Sequence, residues 1–150
     1  MNGRIEALWK KRSHGGVMDP VEQVNAVAGR GLEGDANFNV PRQVTVIEKE
    51  VFERIKESLP ESEPGMRRAN IMVSGIQLKN MKNHVLIIGE AHILLRGETR
   101  PCELMDEQCQ GLLDALDPDW YGGAHGAVIK GGSIRVGDLA TIELLSPVPS

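Results

Sequence analysis

Short apolar runs rich in β-branched residues, cut every few positions by glycine, proline, asparagine or aspartate, are what most limits the folds open to this chain. The clearest is Gln43-Val44-Thr45-Val46-Ile47. Similar runs at 4–10, 21–27, 70–73, 85–88, 92–95, 127–130, 133–136 and 139–145 read as further strands, each too short to be an independent helix. Gly89-Glu90, Gly131-Gly132 and Gly137-Asp138 fall between consecutive runs and predict hairpin turns. Positions 10–19 (with Gly15-Gly16) and 29–39 (GRGLEGDANFN) read as loops, because glycine, Asn and Asp tolerate tight turns.

Helical periodicity occurs in two places. Val51, Phe52, Ile55 and Leu59 share one face of a helix predicted over 48–59 and ended by Pro60. Cys102, Met105, Cys109, Leu112, Leu113 and Leu116 do the same over 101–116, with Pro101 suited to the first helical position. Many strands, two helices and short turns predict a mainly β fold: an antiparallel or mixed β-barrel with flanking helices. Residues 1–150 suit a single domain. Only 3% of residues are aromatic, so the core must be built from aliphatic side chains.

The formal net charge of −4 argues against nucleic acid or an anionic membrane as partner, while leaving room for a local basic pocket. No apolar run nears the roughly 18 residues of a membrane span, and the first dozen residues lack a signal-peptide core. A cytoplasmic location is the expectation. Cys102 and Cys109 are too few for a disulfide scaffold, and on one helix they lie about 10 Å apart along its axis. Free thiols are expected.

Cys102 is the candidate reactive group. At the start of a helix the macrodipole favours thiolate, with Arg100 adding to this and Glu103, Asp106 and Glu107 opposing it. Cys109 reads as a small buried hydrophobe. His14, His84, His92 and His125 are widely spaced and form no zinc motif. His92 falls inside a strand. His125, flanked by Gly123-Ala124 and Gly126, suggests a flexible loop and a ligand contact. There is no P-loop, no GxGxxG after a strand and no GxSxG elbow. Arg42, Arg67, Arg68, Arg96 and Arg100 border strands or loops, where each is either a solvated surface residue or part of an anion site beside the thiol.

Taken in order, several segments carry a family resemblance. They are Gly31-Leu32-Glu33-Gly34-Asp35, Arg42 to Ile47, Arg68-Ala69-Asn70 through Ile76, Leu86 to Gly89, Arg100-Pro101-Cys102, Gly122-Gly123 and Gly131 to Asp138. Together they resemble a stand-alone MOSC domain, named after the C-terminal domain of molybdenum cofactor sulfurases. The resemblance spans roughly residues 5–143. It implies a β-barrel that binds the molybdenum cofactor, a pterin dithiolene phosphate, or handles sulfur for it. Cys102 maps onto the family cysteine, implied as molybdenum ligand or persulfide carrier. Arg42, Arg68, Arg100 and His125 would then contact the cofactor, with Asp35 and Asn70 as polar contacts or loop formers.

The chain departs from the family where Ala36-Asn37-Phe38-Asn39 replaces the basic residues that often follow the Gly-Asp, which weakens the case for anion binding by this loop. Nothing in these residues resembles the aminotransferase-like part of full-length sulfurases, so no pyridoxal phosphate is expected. The resemblance implies a sulfurase or a redox protein as partner. It leaves three readings open: a cofactor or sulfur carrier, a small molybdenum-dependent reductase of N-hydroxylated compounds, or a binding module without chemistry. A redox-sensing thiol at Cys102 is a fourth.

Overall fold

The computed structural model describes residues 2–13, 17–62, 69–99, 111, 120 and 122–144. The strands are β1 (Asn2–Lys11), β2 (Met18–Val21), β3 (Gln23–Val27), β4 (Gly31–Leu32), β5 (Val44–Glu48), β6 (Ile71–Ser74), β7 (His84–Ile88), β8 (Ala91–Glu98), β9 (Ala124–Lys130), β10 (Gly132–Arg135) and β11 (Leu139–Leu144). One described helix, α1 (Lys49–Ser58), follows β5 directly. Seven strands close into a barrel in the order β1-β6-β5-β9-β8-β7-β11, with β11 returning to β1 through Asn2↔Thr141 to Arg4↔Leu139. All its pairings are antiparallel except β5–β6. The predicted mainly β barrel is therefore the observed architecture. The predicted helix over 101–116 lies outside the described residues.

The apolar runs are continuous because several strands bury both faces. Leu8, Val46, Ile71 and Val73 enter the main core, while Trp9, Ile47 and Met72 enter a second cluster with Phe52 of α1 and Ala69. Alternation along a pleated strand sends neighbours to opposite faces, so a sheet covered on its outer side by a helix needs apolar residues at both. The helix contributes Val51, Phe52 and Ile55 to this layer. Burying each such side chain is worth roughly 1.5–3 kcal/mol. Outside its apolar face, Glu50 Oε2 accepts from Gly75 N at 2.8 Å, tying the helix to the end of β6.

A small second sheet, β10-β3-β4, sends Val24, Ala26, Leu32 and Ile134 into the main core. This corrects two predicted turns. Only Gly89-Glu90 makes a two-residue hairpin, joining Ile88 to Ala91. At Gly131-Gly132 the chain instead leaves the barrel for the small sheet, where Gly132 pairs with Ala26 of β3. After Gly137-Asp138 it returns to the barrel, and β11 pairs with β7 and β1 rather than β10. Glycine pairs serve both purposes, since a Cβ on Gly131 would lie 2.8 Å from Ala26 O.

Two boundaries also move. The loop expected over 10–19 is strand at both ends, because β1 runs to Lys11 and pairs with β2 from Leu8↔Val21 to Lys11↔Met18, while Gly15 and Gly16 lie outside the described residues. Pro20 is tolerated there because β2 is an edge strand. The strand expected over 21–27 divides at Glu22, whose carbonyl accepts from Val136 N at 3.0 Å.

Gly123 shows how tightly the barrel closes beside β9. Its φ is +86°, and a Cβ there would collide with Val46 O and sit 3.1 Å from Ile47 Cγ2. Gly123→Ala is expected to cost roughly 3 kcal/mol, combining backbone strain with a clash that only main-chain movement relieves. Denaturant unfolding of the two proteins checks it; equal midpoints would refute the close packing.

Candidate anion site on the outer face of the barrel

His125 sits in β9, not in the flexible loop its glycine neighbours suggest. Ala124 and Val128 point into the core, so alternation turns His125 to the outer face. There it is flanked in register by Thr45 of β5 and Gly97 of β8. A bulge between Leu95 and Gly97 lets Leu95 stay in the core while Gly97 faces outward opposite His125. The missing side chain at Gly97 makes room for the imidazole: a Cβ would be 3.2 Å from His125 Nε2.

Two arginines reach this ring from separate parts of the chain. Pro41, Arg42, Arg96 and His125 line a cleft of about 330 Å³. Both guanidinium residues are exposed, while His125 is part-buried. No carboxylate is among these lining residues. The imidazole is pushed below the usual histidine pKa, first by burial and then by the positive charges of Arg42 and Arg96. It is therefore neutral at physiological pH.

Two buried polar atoms here have no hydrogen-bond partner: His125 Nδ1 and Thr99 Oγ1. Thr99 N donates to Gly123 O at 2.9 Å, continuing the β8–β9 ladder, and alternation from Gly97 places Thr99 on the same outer face as His125. Leaving such atoms unpaired costs about 1–3 kcal/mol each. Both belong to the outer face, His125 in the lining of the cleft and Thr99 just past the end of β8, and buried polar atoms left unmet call for an explanation such as a ligand.

Asp35 and Asn70 work behind this site. Asp35 is 5% exposed and Asn70 4%. The Asp35 carboxylate accepts from Lys11 N, from Asn37 N at 2.9 Å and from Asn70 Nδ2 at 2.9 Å. Asn70 Oδ1 accepts from Thr45 N at 3.0 Å, and its Nδ2 also donates to Trp9 O at 3.3 Å. Asn37 Nδ2 donates to Arg42 O at 2.8 Å, passing the anchor on to the arginine. Gln43 completes the loop exit: its N donates to Gly126 O at 3.2 Å and its Oε1 accepts from Val128 N at 2.9 Å. Asn37, part of the departure from the family pattern, thus holds Arg42 by its main chain.

Of the predicted site residues, the structure brings Arg42 and His125 together and buries Asp35 and Asn70 in the scaffold beside them. Cys102, Arg68 and Arg100 lie outside the described residues, as does Arg67. Sequence reasoning left Arg96 undistinguished among the arginines and passed over Gly97 and Thr99. A glycine and a threonine just before Arg100-Pro101-Cys102 were the available signal. Among the described residues no cluster of His, Cys, Asp and Glu is arranged to hold a metal ion.

The fold is a seven-stranded barrel with a cationic cleft on its outer face. The sequence profile of the MOSC domain matches residues 11–141, and the chain belongs to that family. No curated protein matches it. Among solved structures it is similar to the YuaD protein from Bacillus subtilis (TM-score 0.86, 19% identity, covering 97% of this chain and 98% of that one). It is also similar to YiiM from Escherichia coli (0.69, 19%, 98% and 72%) and YiiM from Geobacillus stearothermophilus (0.69, 16%, 96% and 75%). At these identities the likeness shows a shared fold.

Two measurements check this geometry. Asp35→Ala leaves one buried and two part-buried donors without this acceptor and is expected to lower stability by roughly 2–4 kcal/mol; a loss below about 1 kcal/mol would refute the anchor. For His125, the folded pKa lies below the unfolded value of about 6.5, so the unfolded chain takes up its proton first on acidification. Its contribution to stability therefore falls as pH drops through about 6.5 toward the folded pKa. The stability difference between wild type and His125→Gln should shift against wild type between about pH 7.5 and 5.5. A constant difference contradicts the assignment.

Proposed function

We propose that this chain binds the molybdenum cofactor and presents Cys102 to it as metal ligand or persulfide carrier. Family membership is associated with molybdenum-cofactor-related binding. The observation that carries the reading is that Arg42 and Arg96 line one cleft with His125, whose Nδ1 is buried and unpartnered. That donor set suits the anionic phosphate end of a pterin dithiolene cofactor: two forks of N–H donors and one imidazole, with no carboxylate among the described lining residues. Thr99, with its unpartnered hydroxyl, immediately precedes Arg100-Pro101-Cys102 in the sequence.

In this reading Arg42 and Arg96 bind and orient the phosphate, while Asp35, Asn37 and Asn70 hold the Arg42 loop. Arg68 and Arg100, outside the described residues, are the further cofactor contacts that the family resemblance implies. When bound, the cofactor supplies molybdenum redox and sulfur chemistry; the chain supplies a soft thiolate, which is the form that ligates metal or carries sulfane sulfur. A sulfur-donating or electron-donating protein is the partner such chemistry requires. Pyridoxal phosphate has no part in it.

Purification from a host that makes the cofactor, followed by metal and pterin analysis, tests the proposal. Wild type is expected to retain both molybdenum and pterin. Cys102→Ser should lose most of the metal or sulfur while keeping pterin. Arg42→Ala with Arg96→Ala should lower pterin retention about tenfold or more, the equivalent of one lost charged hydrogen bond. Wild type that never holds either component sinks the reading.

A further inference from the structure

His125 is oddly placed for a residue whose only task is to donate a hydrogen bond. Its Nδ1 is buried with no partner, and its ring rests over Gly97, whose absent side chain leaves that space to the imidazole. From β5 it is faced by Thr45, from β8 by Gly97 and Arg96, and from the preceding loop by Arg42. Its own neighbours on β9, Ala124 and Gly126, carry no charge. The nearest acid along β8, Glu98, pairs with Ala124 on the opposite face and accepts from Trp120 N at 2.8 Å. Among the described residues the charged groups around the ring are thus the two arginines.

This arrangement holds His125 neutral only while the cleft has no anion in it. Burial and two like charges oppose its proton. An oxyanion between the guanidinium groups would cancel their charge and offer an acceptor for an imidazolium N–H, a charge-assisted bond stronger than a neutral one. We propose that an oxyanion entering the Arg42–Arg96 cleft draws one proton onto His125, so that this site takes up a phosphate- or sulfate-type dianion and a proton together. The proposal rests on reading the cleft as an anion site and adds how its affinity is regulated. Linkage is reciprocal: if the anion raises the affinity for the proton, the proton raises the affinity for the anion by the same factor. Anion affinity therefore increases as pH falls from neutrality, and releasing the proton loosens the anion. The proton taken up comes from solvent, and no bond other than N–H is formed.

Sulfate is the probe, because it stays a dianion across the range used and its own titration is not read. Calorimetric titration of the intact protein is made at about pH 8 and about pH 5.5 with ionic strength held constant, since screening alters such contacts. The expected result is binding roughly tenfold tighter at the lower pH, equivalent to about one pKa unit of coupling. Heats in buffers of different ionisation enthalpy should report protons absorbed with sulfate, at most about half a proton per sulfate for a one-unit coupling and greatest between the free and bound pKa values. The His125 ring nitrogens, followed by NMR, should titrate at higher pH with sulfate than without. His125→Asn should bind sulfate with the same affinity at both pH values, and Arg96→Ala should bind weakly at both. Wild-type affinity that does not change with pH, or a pH dependence that survives in His125→Asn, overturns the proposal. Failure here is distinct from failure of the cofactor reading. A protein that retains molybdenum and pterin but binds sulfate without a proton refutes only the coupling. One that couples sulfate to a proton yet never holds pterin refutes only the cofactor assignment.

Discussion

The buried carboxylate of Asp35 is the interaction on which the site end of the barrel depends. It accepts hydrogen bonds from β1, from its own loop and from Asn70, which in turn grips Thr45 N in β5. Three separated segments are thereby fixed to one buried carboxyl group, and a polar group taken out of water is tolerable only when its hydrogen bonds are met in this way. Without that tie, the glycine-rich loop preceding β5 would keep its Gln43 bonds to β9 and its Ala36 N to Lys11 O bond, and lose the anchor that Asp35 gives to Asn37, which holds the Arg42 carbonyl.

From this anchor the electrostatics follow a simple division. The scaffold holds the Asp35 carboxylate and the Asn70 amide, buried and hydrogen-bonded, while the cleft holds exposed guanidinium groups with no acid among its described lining residues. Between the two lies a strip of outer barrel face carrying Thr45, Gly97, Thr99, Gly123 and His125. Its two glycines admit close neighbours, His125 at Gly97 and the Val46 carbonyl at Gly123, and its two buried polar atoms remain unpaired. Folded proteins rarely leave such atoms unmet, and where they do, a ligand is a common reason.

Much of the architecture was legible in the residues. The strand runs, the helix over 49–58 and the Gly89-Glu90 hairpin depend on alternation, 3.6-residue periodicity and turn chemistry, all of which are local. Other features were not. The Gly131-Gly132 pair reads as a hairpin because the same small residues allow a tight turn and a close crossing between sheets. His125 reads as loop because glycines surround it, although Gly126 is where β9 passes tightly against the carbonyl of Leu94. Arg96 carries no mark in the sequence that separates it from other border arginines.

By its order of motifs, this chain alone determined a MOSC-type β-barrel, and with it a cysteine and a set of basic residues to consider. Only the tertiary structure decided that Arg42 and Arg96 meet over His125, that Thr99 shares their face, and that Asp35 and Asn70 serve the scaffold. The reason is register. Which residues lie side by side across β5, β9 and β8 depends on strand order and on one bulged position in β8, and these are set by packing among segments far apart in the chain.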